Sequence, residues 1–255
     1  MASYLSYDAA DGRYHVGPPV AGAAERGQQG SLAQRISDPT FELTQFAVTL
    51  TVANEWRARL GQQPNASWAR MVSLLAPAPL MREPSPRAVS PAPPPGPPAP
   101  MIYNQNVRQQ APIASSSASQ EAAAQAACTG AYTADAQLCE GDTSHPAVLL
   151  ALGMLPGEAH GISAAAMNRT LDVVLETWDF PAAWGWDFGL MAMTAARLGR
   201  TDAVDILMQN TTKNGYLACG CNAPLTCYLP GNGALLAAVS MMANLEAFPP
   251  SWAVV

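Results

Sequence analysis

Residues 177–199 decide the fold of this chain and read TWDFPAAWGWDFGLMAMTAARLG. Three of the six tryptophans lie in the first half of this stretch: Trp178, Trp184 and Trp186. The apolar residues after Asp187 have the spacing of an amphipathic helix that ends at Gly199. Tryptophan faces suit the flat C–H faces of sugar rings, and carboxylates bind hydroxyls or transfer protons. The stretch is therefore either a carbohydrate site at a helix start or a structural segment in which the indoles anchor the core and Asp187 caps the helix.

Composition argues against several classes of function. The chain has 255 residues, with 13 Lys+Arg against 19 Asp+Glu and a net charge of −6, so it lacks the basic surface typical of nucleic-acid binding. No apolar run approaches the roughly 18–20 residues of a membrane span, so we expect no membrane partner. The N-terminal residues lack the basic and apolar regions of a secretory signal, so none is predicted in the chain and its location stays open.

The five cysteines form two groups: Cys128 with Cys139, and Cys219 with Cys221 and Cys227. The second group has the spacing Cys-x-Cys-x5-Cys, which is not a standard zinc-ligand spacing without a nearby histidine or a second pair. We therefore predict no metal and no cofactor. Disulfides would require an oxidising compartment, so the sequence leaves the state of all five thiols open.

The N-terminal block combines a short hairpin with two helices. Residues 4–8 and 13–16 alternate like brief strands around the Asp11-Gly12 turn. A helix is predicted from Asp38, as its N-cap, to Gly61, and a second one covers residues 65–76. The predicted apolar face of the first helix consists of Phe41, Phe46, Leu50, Ala53, Trp56 and Leu60.

The segment between the two helical blocks has a different composition. Residues 84–100 are mostly proline and alanine, which favours extended polyproline conformations over a hydrogen-bonded ladder. Residues 115–127 are a serine, alanine and glutamine run without a hydrophobic face. We therefore predict three segments: an N-terminal helical part at 1–80, a disordered insertion at 81–141 and C-terminal helical hairpins at 142–255.

Four helices are predicted in the C-terminal segment. They start near Ser163, at Asp187, after a Thr201-Asp202 cap, and at Ala234 behind a Pro-Gly-Asn-Gly turn, the last one running to Leu245. The whole chain is therefore predicted to be all-α. Helices joined by long loops are typical of an α/α toroid, whose site is assembled from loops at one end, whereas ordinary bundles prefer short connections.

Ten sequence motifs carry a resemblance to a known family. In the C-terminal block they are HP at 145–146, LGMLP at 152–156, TWDF at 177–180, WGWDF at 184–188, MAMTAARLG at 191–199, KNGYL at 213–217 and YLPGNG at 228–233. In the N-terminal block they are GPPV at 17–20, DPTFEL at 38–43 and EWRARLG at 55–61. Together they resemble the C-terminal part of bacterial and algal six-hairpin glycosidases, (α/α)6-barrel proteins distantly similar to glycoside hydrolase families 65 and 95.

The resemblance implies a partial (α/α)6 toroid that hydrolyses O-glycosidic bonds in an oligo- or polysaccharide. In such families a loop glutamate after a Gly-Pro turn is the general acid, and by resemblance that role goes to Glu25, or less directly to Glu42. Asp187 stands where a carboxylate activates water. In an inverting enzyme the two carboxyl groups lie about 6.5–9.5 Å apart. No cofactor is implied.

The resemblance also assigns residues to a carbohydrate substrate. The aromatic platform would consist of Trp178, Trp184 and Trp186. The candidate partners for sugar hydroxyls are His145, Asn214 and Asn232. For Asn232, the alternative to sugar binding is that its side chain only caps the last helix.

Two departures from the family pattern keep another class of function open. The predicted helices are fewer than a complete toroid needs, which implies a fragment or a second chain that completes the barrel. Residues 219–222 read CGCN where relatives carry a more polar segment. The alternative is therefore an inactive truncated toroid that binds carbohydrate or a protein. A polysaccharide lyase ranks last because the 3 histidines form no clear Tyr/His/Arg constellation.

Overall fold

The structure, a computed structural model, describes most of the two predicted helical blocks. The described residues are 2–17, 38–82, 101–103, 145–178, 180–181, 183–211, 213–222, 225 and 227–244. The chain divides into two compact units, residues 1–142 and 143–255. Over its described part it is mostly helical, as predicted, with six α-helices and two short β-hairpins.

The predicted N-terminal hairpin is confirmed. Strand β1 (Leu5–Asp8) pairs antiparallel with β2 (Arg13–Val16), so that Leu5 lies opposite Val16. Gly12 takes a φ of 73° in the turn, a left-handed conformation that glycine adopts without steric cost. The buried side chains of Leu5 and Val16 join the core of this unit, whose other buried members are Leu43, Leu50 and Ala76.

Helix α1 (Thr40–Arg59) forms where the sequence predicts it, and Gly61 follows its end with a φ of 70°. Its predicted start is wrong in one respect, because Asp38 is not the N-cap. Asp38 has a φ of 54°, and its carboxylate accepts from the backbone N–H of Val16 at 2.9 Å. The residue at the N-cap position is Pro39.

The predicted apolar face of α1 is wrong in its second half. Trp56 is 55% exposed and Leu60 is 68% exposed. The stripe that α1 buries lies nearer its N-terminus and includes two threonines: Thr40, Leu43, Thr44, Ala47 and Leu50. A buried threonine can be satisfied within the helix, and the hydroxyl of Thr44 donates to the carbonyl of Thr40 at 2.8 Å.

Helix α2 (Ala66–Ser73) starts at the predicted cap and ends earlier than predicted. The side chain of Asn65 accepts from the backbone N–H of Trp68 at 3.2 Å. The helix stops before residue 76 because the chain joins the hairpin. The backbone N–H of Tyr14 donates to the carbonyl of Leu74 at 2.9 Å, and the backbone N–H of Ala76 donates to the carbonyl of Tyr14 at 2.8 Å.

A second hairpin lies almost entirely within the predicted insertion at 81–141. Strand β3 (Leu80–Arg82) pairs antiparallel with β4 (Met101–Tyr103). The proline-rich run between them and residues 104–144 lie outside the described residues. The predicted disorder is therefore wrong for residues 81–82 and 101–103, and for the remaining residues of 81–141 it stays a prediction.

The described residues of the C-terminal unit form four α-helices and two 3-10 helices. The 3-10 helices cover Ala147–Ala151 and Gly157–His160. The α-helices are α3 (Ala164–Thr177), α4 (Gly185–Arg197), α5 (Ala203–Leu207) and α6 (Leu229–Asn244). The predicted start of α3 is confirmed, because the side chain of Ser163 accepts from the backbone N–H of Ala166 at 3.3 Å.

Helix α4 is the centre of this unit. The predicted amphipathic pattern is wrong here, because every residue from Asp187 to Ala196 is buried, as in a helix that is enclosed on all sides. It packs against α6, α5, α3 and the Ala147–Ala151 helix. A Cβ at Gly189 would lie 2.5 Å from the Cβ of Ala234, so glycine permits the close crossing of α4 and α6. The predicted stop at Gly199, with a φ of 70°, is confirmed.

Two predicted helix starts need correction. Helix α6 begins at Leu229 rather than Ala234, so the Pro-Gly-Asn-Gly run lies in its first turn. Proline is tolerated there because the first helical N–H groups have no intrahelical acceptor. Asp202 occupies the N-cap position of α5, but its carboxylate contacts Arg200 Nε at 2.9 Å instead of a helix N–H. The Arg200 guanidinium lowers the pKa of Asp202.

Candidate functional site

The predicted catalytic aspartate lies in a buried pair with a predicted sugar-binding residue. His145 Nδ1 is 2.9 Å from Asp187 Oδ1 and 3.0 Å from Asp187 Oδ2. Asp187 is 0% exposed and His145 is 3% exposed. The pair fixes the chain before the Ala147–Ala151 helix to the first turn of α4. A carboxylate in contact with one ring nitrogen also sets which nitrogen of the imidazole faces away from it.

The same carboxylate also caps the N-terminus of helix α4. The backbone N–H of Trp184, at the N-cap position, donates to Asp187 Oδ2 at 2.7 Å. This is the half of a capping box in which an acidic residue at the third helical position reaches back to the N-cap. A negative charge in the first turn is also favoured by the helix dipole. The prediction that the helix starts at Asp187 as its N-cap is therefore wrong, because Trp184 is at the N-cap position and Asp187 caps the helix from inside its first turn.

Two of the three predicted platform tryptophans flank this pair. The ring of Trp186 is 4.6 Å from the ring of His145, with an interplanar angle of 32°. The ring of Trp184 is 5.5 Å from that of Tyr228, and Lys213 Nζ lies 4.4 Å from the Trp184 ring centroid. Trp184, Trp186, Tyr228 and Lys213 are all half-buried. We call Trp184, Tyr228 and Lys213 the Trp184 surface.

The third predicted tryptophan is in a different environment. Trp178 is 8% exposed at the C-terminal end of α3, where its backbone N–H donates to Val174 at 3.0 Å. A ring that is nearly enclosed has no face for a sugar, and its position is that of a core anchor.

A buried asparagine organises the polar side of the site. Asn222 is 0% exposed, and its backbone N–H donates to Asn232 Oδ1 at 3.1 Å. A Cβ on Gly185 or Gly231 would collide with the side-chain amide of Asn222. Both glycines lie in first turns, one of α4 and one of α6. The starts of these two helices therefore meet at Asn222.

The two predicted asparagines belong to this network. Asn214 is 3% exposed and donates from Nδ2 to the carbonyls of Leu207 at 3.1 Å and Gln209 at 2.7 Å. Asn232 Nδ2 donates to the carbonyl of Gly220 at 2.6 Å. In this structure the side chains of Asn214 and Asn232 therefore hold the backbone of two loops. Asn232 is half-buried, so it lies closer to solvent than Asn214.

A disulfide closes the loop that carries Asn222. Cys221 and Cys227 are bonded, while Cys219 is a free, exposed cysteine. Cys128 and Cys139 lie outside the described residues. Near the disulfide, Tyr216 pairs with Asn222 in an antiparallel bridge, and burial raises the pKa of Tyr216.

The predicted general acid cannot be placed. Glu25 lies outside the described residues, so its separation from Asp187 stays a prediction. Glu42, the less direct candidate, lies half-buried in the first turn of α1 in the N-terminal unit.

One group of described residues in the N-terminal unit has the composition of a metal site. Asp8, Asp11 and His15 offer ligand atoms within 4.8 Å of one another. His15 is already engaged on both ring nitrogens, since Nδ1 is 2.7 Å from Asp38 and Nε2 is 3.1 Å from Asp11. Burial alone would lower the pKa of His15, but the hydrogen bonds and negative charges of Asp38 and Asp11 raise it. We interpret the group as an ion-paired network and assign no metal to it.

Three residues of the site are absent from the sequence-based prediction: Lys213, Asn222 and Tyr228. Lys213 and Tyr228 each lie in a motif that carries the resemblance, and an asparagine between two cysteines is a signal for a structured loop. Neither signal indicates which ring or helix start the side chain contacts.

Comparison with known proteins adds no family to this geometry. No protein-family model, no curated protein and no solved structure matches the chain. Among the described helices, none has the combined length and apolar character that crossing a bilayer requires.

Proposed function

We propose that the C-terminal unit binds carbohydrate at the Trp184 surface. The observation that carries the proposal is the half-buried residue Trp184, whose ring is framed by the ring of Tyr228 at 5.5 Å and by Lys213 Nζ at 4.4 Å. A partly exposed indole offers a flat apolar face, and the neighbouring phenol and ammonium groups offer hydrogen bonds to hydroxyls. Binding sites for small ligands commonly combine such an apolar wall with a few fixed polar groups.

Buried polar groups next to the Trp184 surface hold its residues in position. Asp187 fixes the backbone of Trp184, and His145 packs on Trp186. Asn222 holds the chain on which Tyr228 lies, because the backbone N–H of Tyr228 donates to the carbonyl of Asn222 at 3.3 Å. Binding groups held in position before a ligand arrives lose less conformational freedom on binding. In this proposal Asp187 and His145 are positioning residues.

The proposal includes the partial (α/α)6 toroid that the sequence resemblance implies. In such a fold the ligand binds among loops at one end of the helices. The meeting of the starts of α4 and α6 at Asn222, beside a long connecting loop, supports this arrangement.

Glycoside hydrolysis with Asp187 as base and Glu25 as acid is the second candidate. The observation in its favour is the carboxylate–imidazole pair, since a carboxylate that orients a histidine is a recurrent device in proton transfer. However, a carboxylate that activates water must reach it at about 2.6–3.2 Å, and Asp187 is 0% exposed with its oxygens in contact with His145 and Trp184. The geometry therefore favours binding over hydrolysis.

Calorimetry of the full chain with a panel of oligosaccharides tests the binding proposal. We expect Trp184→Ala to weaken the binding of the best ligand by about 2- to 12-fold, since one aromatic stacking contact contributes about 0.5–1.5 kcal/mol. Trp56→Ala is the matched control, because Trp56 is 55% exposed on α1. If Trp184→Ala and Trp56→Ala bind as tightly as the unmodified chain, the Trp184 surface is not the site.

Sugar release from the same panel tests the second candidate. Hydrolysis by Asp187 predicts that the unmodified chain releases reducing sugar and that Asp187→Asn abolishes the release. If the unmodified chain binds an oligosaccharide but releases no sugar from it, hydrolysis is ruled out for that ligand and only the binding proposal remains. Thermal unfolding of each variant, measured first, separates loss of a contact from loss of the fold.

A further inference from the structure

The disulfide Cys221–Cys227 lies next to both polar and aromatic parts of the proposed site. Asn222, the buried residue at which the starts of α4 and α6 meet, directly follows Cys221. Tyr228, whose ring packs on Trp184, directly follows Cys227. One covalent bond therefore joins the chain segments that carry these two residues.

Two backbone hydrogen bonds hold the segment that leads into Cys221. The backbone N–H of Leu217 donates to the carbonyl of Cys221 at 2.9 Å, and the N–H of Gly220 donates to the carbonyl of Leu217 at 2.8 Å. These bonds lie on the Cys221 side. On the other side, Tyr228 N–H contacts the carbonyl of Asn222 at the longer distance of 3.3 Å.

The backbone at Cys227 is in a conformation that the free chain disfavours. Its φ is 53°, in the left-handed region where a residue with a Cβ is uncommon and strained. The Cα atoms of Cys221 and Cys227 are 4.5 Å apart, within the range that a disulfide requires. A cross-link lowers the conformational entropy of the open loop, and so it favours the strained closed state.

The disulfide is also open to reagents. Cys227 is exposed and Cys221 is half-buried. Exposed disulfides are the ones that exchange with external thiols.

We propose that the Cys221–Cys227 disulfide is a reducible clamp that switches the Trp184 surface between an ordered state and a loosened state. Reduction releases Cys227 from its left-handed conformation and with it the ring of Tyr228 from Trp184. The switch of ligand binding rests on the proposed carbohydrate function, whereas the loosening of the loop does not. The physiological reagent is a dithiol reductant, identified only by that chemistry.

The reaction balances with that one co-reactant. A thiolate of the dithiol attacks the sulfur of Cys227, and the bond to Cys221 breaks so that Cys221 leaves as a thiolate and is protonated. The second thiol of the reductant then displaces Cys227 from the mixed disulfide. The protein gains two electrons and two protons as two cysteine thiols, and the dithiol becomes a disulfide.

The test uses the full chain with Cys128→Ser, Cys139→Ser and Cys219→Ser, so that no other cysteine contributes. The oxidised protein is compared with protein reduced by dithiothreitol and trapped with iodoacetamide, and mass spectrometry counts the alkylated thiols. Tryptic cleavage after Lys213 reports the order of the loop. We expect reduction to accelerate this cleavage by about tenfold or more, because proteolysis requires local opening.

Acrylamide quenching supplies a second readout at the aromatic ring. We expect the reduced protein to be more strongly quenched, and we expect the difference to disappear in a Trp184→Phe version. The matched variant Cys221→Ser/Cys227→Ser should behave like the reduced protein and should not respond to dithiothreitol. Unchanged cleavage and unchanged quenching after verified reduction overturn the clamp.

The effect on ligand affinity is measured separately. We expect reduction to weaken oligosaccharide binding by roughly tenfold, since a loosened site must be ordered by its ligand. Equal affinity of oxidised and reduced protein overturns the switch of binding. If the oxidised protein binds no oligosaccharide, the proposed function fails, and cleavage after Lys213 still decides whether the clamp exists.

Discussion

His145 Nδ1 and Asp187 Oδ1 lie 2.9 Å apart, and the two residues are 42 positions apart in the chain. Both are buried, and Asp187 also accepts from the backbone N–H of Trp184. One carboxylate thus joins the segment before the Ala147–Ala151 helix to the start of α4. Replacing it affects a cross-link and a helix cap at the same time.

We expect Asp187→Ala to lower the free energy of unfolding by about 3–5 kcal/mol, the usual cost of removing one partner from a buried pair. Asp187→Asn keeps a side-chain acceptor and should cost less, about 1–3 kcal/mol. Urea denaturation followed by circular dichroism measures both. Asp205→Asn is the control, because Asp205 is exposed in the first turn of α5. An Asp187→Ala protein as stable as this control would show that the pair does not stabilise the fold.

The contact of Gly185 with Asn222 gives a second prediction with its own control. Gly185→Ala places a Cβ against the amide of Asn222, so we expect a loss of about 1–3 kcal/mol in the free energy of unfolding. Gly233→Ala, also in a helix, meets no atom within 4 Å and should be neutral or stabilise by up to about 1 kcal/mol. Equal effects of the two substitutions would contradict the close approach at Asn222.

The prediction about Gly185 extends to the ligand. Displacement of Asn222 should disturb Tyr228, because the backbone N–H of Tyr228 donates to the Asn222 carbonyl. Gly185→Ala should therefore weaken oligosaccharide binding under conditions where the protein remains folded, while Gly233→Ala should not. Calorimetry with the ligand that the unmodified chain binds best measures the difference. Unchanged affinity in a folded Gly185→Ala protein would separate Asn222 from the Trp184 surface.

Local signals made parts of the fold predictable. Ser163 and Asn65 cap helices through bonds to residues three positions later, and Gly61 and Gly199 end helices in the left-handed conformation. All of these interactions lie within a few residues of chain. A pattern of residue types is sufficient to identify them.

Helix starts that depend on contacts with distant parts of the chain were not predictable. Asp38 has the residue type of an N-cap, but its carboxylate binds Val16 and His15, which lie 22 and 23 positions away. The Pro-Gly-Asn-Gly run has the composition of a turn, yet it lies inside α6 because Gly231 packs against Asn222. In both cases tertiary contact outweighs the local preference.

The candidate site was predicted in part for the same reason. The sequence resemblance pointed to Trp184, Trp186 and His145. In the structure His145 contacts both Asp187 and the ring of Trp186, and the backbone N–H of Trp184 donates to Asp187. The resemblance did not indicate that Asp187 is buried, since its main partner is 42 positions away. Lys213 and Tyr228 were missed because their contacts with Trp184 depend on the path of the disulfide-closed loop.

The His15 network predicts a pH dependence in the N-terminal unit. Desolvation alone would lower the pKa of His15, but the hydrogen bonds and charges of Asp38 and Asp11 outweigh it and raise the pKa above the ordinary 6.5. A raised pKa in the folded state means that the imidazolium stabilises the fold. This stabilisation is fully present below about pH 6.5 and is lost as pH rises through the folded pKa.

Hydrogen exchange at Val16 measures this effect where it arises, because the backbone N–H of Val16 donates to Asp38 Oδ1 at 2.9 Å. After correction for the intrinsic pH dependence of exchange, we expect protection of this amide to fall as pH rises from about 6.5 through the raised pKa of His15. The variant His15→Gln keeps a side-chain donor but has no titrating group, so its corrected protection should be independent of pH over that interval. A chain in which Val16 protection stays constant, or rises, as pH increases would show that charged His15 does not stabilise this unit.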